Sequence, residues 1–167
     1  TELLNLGRLA SGIPAIWQLM TEMVPPDFTR WQEWITPLLD TLGMSIVGTT
    51  LAVLGSVPLA FLAAETTTPG RTAYILARGI MNLLRSVPEL IMGIVFVAAV
   101  GFGTLPGVLA LGLHSIGMVG KFFAESIEHV DPKPIEAARA AGASNVQVIY
   151  HAVLPQVLPQ MADVTVY

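Results

Sequence analysis

Few residues in this chain could do chemistry, and their spacing limits what that chemistry would be. The 167 residues include no cysteine, which removes disulfides, thiolate metal sites and cysteine nucleophiles. His114, His129 and His151 are too dispersed in sequence to argue for a metal site. There is no H-E-x-x-H, no G-x-x-x-x-G-K-[ST] phosphate loop, no nucleophile beside a plausible base and no paired acids within an apolar run. The sequence therefore predicts a chain that is not an enzyme, with no catalytic residues, no metal and no cofactor. What remains is His114, Ser115 and Lys121 within an otherwise apolar stretch. Ionisable groups are costly in such a place and face protein or a water-filled cavity, so these three are candidates for a polar path. The alternative is that Lys121 stretches its ammonium to an interface and His114 hydrogen-bonds a neighbouring helix.

A second group lies near the C-terminal end. EAARAAG occupies residues 136–142 and AVLP residues 152–155. Asp131 or Lys133 can cap a short helix whose first turn accepts Pro132 or Pro134, and Gly142 can take the left-handed angles that end it. Ser144 with Gln147 has the spacing of a capping box. The alanines at 137, 138, 140 and 141 leave a helix slim enough to seat in a partner's groove, where Glu136 could meet a basic group or a helix end. Helix, glycine and helix is a common surface arrangement, so the local pattern by itself leaves docking and plain surface structure both open.

The elements that must position these residues follow from composition. Hydrophobic residues make up 53% of the chain and charged residues 12%, against about 25% charged in a soluble domain, and the mean hydropathy is +0.67. So few charges cannot cover the surface of a soluble fold, and the chain reads as all-helical and membrane-spanning. The net charge of -4 and the eight scattered basic residues give no nucleic-acid footprint. The opening TELLNLGRLASG lacks the basic and apolar regions of a signal peptide.

Residues 1–37 carry Glu2, Arg8, Glu22, Asp27, Arg30 and Glu33 between Pro14, Pro25, Pro26 and Pro37, a pattern of surface helix and loop. Trp17, Trp31 and Trp34 suit the headgroup level, with ordinary packing as the alternative. Three spans are predicted at residues 38–64, 88–103 and 105–127, each judged against the roughly 20 residues that cross a bilayer. In the first, Gly43, Ser45, Gly48, Thr49, Ala52, Gly55 and Ser56 would let another backbone approach closely, and Pro58 should kink it. Asp40 is expected at its outer interface. TTTPGR at residues 66–71 is a turn. Arg71, Arg78 and Arg85 then recur every seven residues, as on a basic amphipathic helix at a membrane surface. Ser86 and Glu89 have capping-box spacing at the start of the second span. Residues 129–155 are too polar to cross lipid and are expected as a loop outside the membrane, and residues 157–167 as the start of a further span. Arg71, Arg78, Arg85, Lys133 and Arg139 fall on one side of this topology, which the positive-inside rule makes cytoplasmic. For an N-terminus on the outer side without a signal peptide, the expectation is an earlier span that was lost or is not included in this sequence.

The pattern at residues 136–155 resembles the EAA signature of bacterial ABC importer permeases: Glu-Ala-Ala, three residues, Gly, nine residues, Ile, any residue, Leu-Pro. Glu136, Ala137, Ala138, Gly142, Leu154 and Pro155 match, while Ala152 stands where isoleucine is usual. LRSVPEL at 84–90, GVLALGLHSIGMVGKFFAESIE at 107–128 and VDPKPIEAARAAGAS at 130–144 look like the phosphonate type in particular, with phosphite permeases as close relatives. The resemblance implies a truncated form of the importer permease core in the bacterial inner membrane. It implies ATPase coupling through Glu136, Ala137, Ala138, Gly142, Leu154 and Pro155. His114, Ser115 and Lys121 would offer donors to an oxyanion. The implied partners are a cytoplasmic ATP-binding subunit, an extracytoplasmic phosphonate-binding protein, a second permease copy forming a homodimer, and membrane lipid. Permeases for phosphite, phosphate or another small solute are the alternatives within this class. A channel or secondary transporter is the alternative outside it, and would leave the loop motif without a role.

Overall fold

The computed structural model of the protein describes residues 6–166 and divides into two compact units, Thr1–Leu38 and Leu39–Tyr167. Glu2 lies outside the described residues. Among the described residues every regular element is helical.

The first unit contains α1 (Leu6–Glu22), which runs through Pro14, and a 3₁₀ turn at Trp31–Trp34. Trp17, Trp31 and Trp34 are 69%, 53% and 50% exposed, so this chain does not bury them in a core. Between helix and turn, the Thr29 N–H donates to the Asp27 carboxylate at 2.9 Å and holds it below its ordinary pKa. Arg30 pairs with Glu33.

α2 (Ile35–Ala63) belongs to the second unit from Leu39 on, and α5 (Thr104–Glu128) lies at the centre of that unit. At 29 and 25 residues they extend about 44 Å and about 38 Å, past the roughly 30 Å hydrocarbon core. Both are apolar enough to cross it. α2 runs as one helix through Pro58. Its buried residues are Gly48, Ala52, Ser56, Ala60 and Ala63, one small side chain per turn along one face. That stripe lets α5 come close. A Cβ on Gly48 would stand 3.3 Å from Leu111 Cβ, and one on Gly112 would meet Leu51 Cδ2 at 2.5 Å. Buried Ser56 donates to the carbonyl of Ile116 at 3.2 Å. Lipid tails are as apolar as leucine, so close contact and such hydrogen bonds, not expulsion of water, hold these helices together.

α3 (Arg71–Ser86) and α4 (Glu89–Val100) form a pair bent by 85°. Proline drives the residue before it out of the helical region, and Val87 takes φ -91°, ψ 119°. The expected capping box at Ser86 and Glu89 does not form. α3 continues through Ser86, whose hydroxyl donates to Leu83 in its own helix, and Pro88 occupies the N-cap of α4. The expected second span is also shorter than predicted. α4 has 12 residues, about 18 Å, short of the roughly 30 Å hydrocarbon core. α5 packs against α3, α4 and the last helix, α8 (Leu154–Val166), around fully buried Phe123, Ile127, Val153 and Val157. Outward, Leu54, Leu90 and Ile94 are 69%, 82% and 69% exposed, apolar surface suited to lipid.

Candidate functional site

The segment after α5 is built from caps. The His129 N–H closes α5 on Glu125 at 3.1 Å. Asp131 then starts α6 (Pro132–Ala140): its side chain accepts from Lys133 N at 3.0 Å, with Pro132 in the first turn, where a missing N–H costs nothing. Ile135 packs against the core and Ala138 is half-buried, while Glu136, Ala137, Ala140 and Ala141 face outward. α6 is thus seated on one face and presents a small-side-chain face bearing one carboxylate.

Gly142 ends it at φ 82°. Its N–H donates to Arg139 O at 2.9 Å, and the Ala143 N–H to Ala138 O at 3.0 Å, the paired bonds of a Schellman cap. No atom lies within 4 Å of where a Cβ would be, so backbone angle and not space requires glycine here. Ser144 and Gln147 form the expected capping box at the start of α7 (Asn145–Val148), with Ser144 N donating to Gln147 Oε1 at 2.8 Å. Ala138, Ala141, Gly142, Ala143, Gln147 and His151 line a notch of about 310 Å³ at this corner.

Beyond Ser144 the second helix forms as the capping box predicts but runs on without a break. From Asn145 the chain is helical through Val166, so Leu154 and Pro155 stand in a helix and not in a loop ending at residue 155. Leu154 is half-buried against the core, Pro155 is exposed, and Ala152 and Val153 are buried. The join is one π-helical turn, Ile149–Val153, in which the Leu154 N–H reaches back five residues to Ile149 O. Pro155 accounts for the widening: in a regular α-helix its ring would strike the carbonyl four residues earlier, that of His151.

Gln156, next to the motif, is a residue the sequence pattern did not single out. Its Oε1 accepts from Asp131 N at 3.0 Å and its Nε2 donates to Ala152 O at 2.6 Å, so one amide ties the cap of α6 to the π turn. Nothing local in the sequence signals a pairing 25 residues apart.

The three path candidates do not converge. His114 and Lys121 share a face of α5 about two turns apart, and Ser115 points about 100° away. Lys121 is exposed and its Nζ lies 3.6 Å from Glu125 Oε1, an i,i+4 pairing that the sequence spacing already offered. It borders a cleft of about 210 Å³ with Arg78, Met81, Asn82, Ala124 and Glu125. His114 and Ser115 are half-buried, and His114 Nδ1 is a buried ring nitrogen without a hydrogen-bond partner among the described residues. His129 and His151 each place Nδ1 against a carbonyl of their own helix, at 2.7 Å and 3.0 Å. No metal-binding cluster occurs among the described residues.

Comparison with known proteins places this arrangement. The phosphite transport system permease protein PtxC of Stutzerimonas stutzeri is 63% identical over 165 residues, covering 99% of this chain and 60% of that protein. The phosphate-import permease protein PhnE of Mycolicibacterium smegmatis is 44% identical over 159 residues, 95% of this chain and 30% of that protein. The chain thus spans 60% or less of the length of these two relatives. Its fold is similar to an inward-facing structure of the MetNI methionine ABC transporter, with a TM-score of 0.71 at 20% identity over 82% of this chain and 69% of that one. Residues 56–166 match the binding-protein-dependent transport system inner membrane components, and the chain belongs to that family.

Proposed function

We propose that the chain is part of the permease subunit of an ATP-driven importer carrying phosphonate or the related phosphite inward. The observation that carries this is the capped segment at residues 131–147. A short helix fixed at both ends presents Glu136 and a row of alanines to the outside, in a sequence with no phosphate loop of its own. Such a rigid, slim surface suits docking on a separate ATP-binding subunit. Glu136, Ala137, Ala138 and Gly142 make the contact surface. Leu154 and Pro155 act behind it by seating α8 and shaping the π turn.

The domain arrangement goes with this reading. Residues 1–167 form one transmembrane permease domain, with residues 1–37 at the outer face and the α6 segment in the cytoplasm, on the side of Arg71, Arg78, Arg85, Lys133 and Arg139. An extracytoplasmic binding protein delivers the solute, a second copy of the permease completes the path, and lipid covers the exposed apolar faces. His114 is the strongest of the path candidates, because its buried Nδ1 has an acceptor or donor site unused among the described residues. Ser115 lies beside it. Lys121 is the weakest, since Glu125 already engages it.

The names of the two relatives, phosphite and phosphate permeases, support a phosphorus oxyanion as cargo. Phosphite and phosphonates share three oxygens and one other substituent on phosphorus, whereas phosphate carries four oxygens. The test is uptake of labelled phosphite by cells expressing the full-length gene with its ATPase and binding protein, in competition with methylphosphonate and with phosphate. ATP-dependent uptake blocked by methylphosphonate but weakly by phosphate supports the proposal. Equal block by phosphate makes phosphate the cargo, and uptake that survives loss of the ATPase removes the importer reading.

A further inference from the structure

Outside the capped segment, an ion pair between α3 and α5 meets the end of α2. Glu128 is the last residue of α5, where a carboxylate meets the negative end of the helix dipole. Its partners offset that placement. Glu128 Oε1 accepts from Arg78 Nη2 at 2.8 Å and from the backbone N–H of Glu65 at 3.0 Å. Arg78 uses a second edge as well: Nε donates at 3.0 Å to the carbonyl of Ala63, the last residue of α2, one of the carbonyls a helix end leaves without an internal partner. The Thr66 hydroxyl adds a bond to the Ile127 carbonyl at 3.4 Å. The guanidinium sits 4.6 Å from the centroid of the Tyr74 ring, which steadies it. Ala63, Ala64, Ala77 and Ile127, all buried, form the packed floor.

We infer that Arg78 is a positioning residue for energy coupling. It fixes the end of α5, from which the α6 segment hangs, to α2 and α3, so that a displacement of that segment reaches those helices instead of being absorbed at residues 129–131. This rests on the proposed docking role of the α6 segment. The geometry is specific to arginine. A planar fork serves the Ala63 carbonyl and the Glu128 carboxylate together, and a lysine ammonium does not reproduce that pair of directions. The Arg78 and Glu128 side chains are 40% and 24% exposed, so solvent screening moderates the effect.

The test uses the full-length permease assembled with its ATPase and binding protein in membrane vesicles, with phosphite as the loaded solute. ATP hydrolysis is measured per assembled complex, with and without loaded binding protein, for wild type, Arg78→Lys, Arg78→Ala and the exposed control Arg71→Ala. Both Arg78 variants should keep basal hydrolysis while the stimulated increment falls roughly three- to tenfold; Arg71→Ala should match wild type. A purely structural role would lower the amount of complex and leave the increment per complex intact, and that result overturns the inference. If Arg78→Ala fails to assemble, Arg78→Lys decides. A wild-type permease that recruits no ATPase would instead sink the importer reading itself, a result distinguishable from an Arg78 effect that is absent while wild-type stimulation is intact.

Discussion

Replacing Gly142 isolates one physical effect, because the site is open and only its backbone angle is unusual. At φ 82° with no atom within 4 Å of a Cβ, an alanine meets no steric neighbour and is charged only for the left-handed conformation, about 1–2 kcal/mol. That is a factor of roughly 5–30 in the population holding the Schellman cap. The two bonds at stake are Gly142 N to Arg139 O and Ala143 N to Ala138 O, at 2.9 and 3.0 Å. Asparagine tolerates left-handed angles and should lose less than alanine, and valine more. Proline loses most, since its φ is locked near -65° and its N–H is gone. The assay is binding-protein-stimulated ATP hydrolysis by the full-length permease in complex with its ATPase, normalised to assembled complex. Activity should rank glycine, asparagine, alanine, valine, proline. Alanine equal to glycine, or asparagine no better than alanine, would refute the reasoning, because steric space and side-chain size cannot produce that order at an open position.

Other expectations rest on packing. Gly117→Ala places a Cβ 2.7 Å from the Met81 carbonyl and 3.1 Å from Leu84 Cβ, so α3 must move; thermal stability in detergent should drop by several degrees. Gly79→Ala, with open space around it, should be neutral or gain up to about 1 kcal/mol from helix propensity. Gln156→Leu leaves Asp131 N and Ala152 O without their side-chain partner, and hydrogen exchange across residues 131–144 should speed up several-fold with little change in α5. Ser56→Leu forces a large side chain into a fully buried position against Ile116, at a cost of about 1–3 kcal/mol or more; Ser56→Ala should cost only about 1 kcal/mol. Chemical or thermal unfolding of the purified protein separates the two.

Much of the scaffold was readable because its signals are local. Apolar length located α2 and α5; of the small residues singled out in α2, Gly48, Ala52, Gly55 and Ser56 fall on the face that α5 approaches while Gly43, Ser45 and Thr49 are exposed; and Asp131, Gly142 and Ser144 each declared a helix end through chemistry within three residues. What escaped the sequence was set by competition or by distance. The Ser86 and Glu89 pattern was valid in spacing, yet α3 had reason to continue to Ser86, and Pro88 chose the break. Residues 129–155 read as too polar to cross lipid, with Asn145, Gln147 and His151 interrupting the later run, and the sequence did not show that Val148, Ala152, Val153 and Val157 bury one side of a helix there. Arg78 read as an interfacial cation because its partner Glu128 lies 50 residues away. The caps of the α6 segment were therefore legible residue by residue, whereas the ties that hold it to the bundle were not.

The π turn at Ile149–Val153 sets the rotational phase of the last helix. Val148 and Ala152 are buried on one side of it, where the chain packs against α6, and Val153, Val157 and Met161 join the core on the other, two four-residue series that are out of step by one position. A regular helix would carry them around the axis about 100° apart. The extra residue in the turn shifts that angle and lets Val153, Val157 and Met161 join Phe123 and Ile127 of α5 in the core. Deleting any single residue of the turn would restore regular winding and swing Val157 and Met161 away from the core, so this stretch tolerates substitution far better than a change in length.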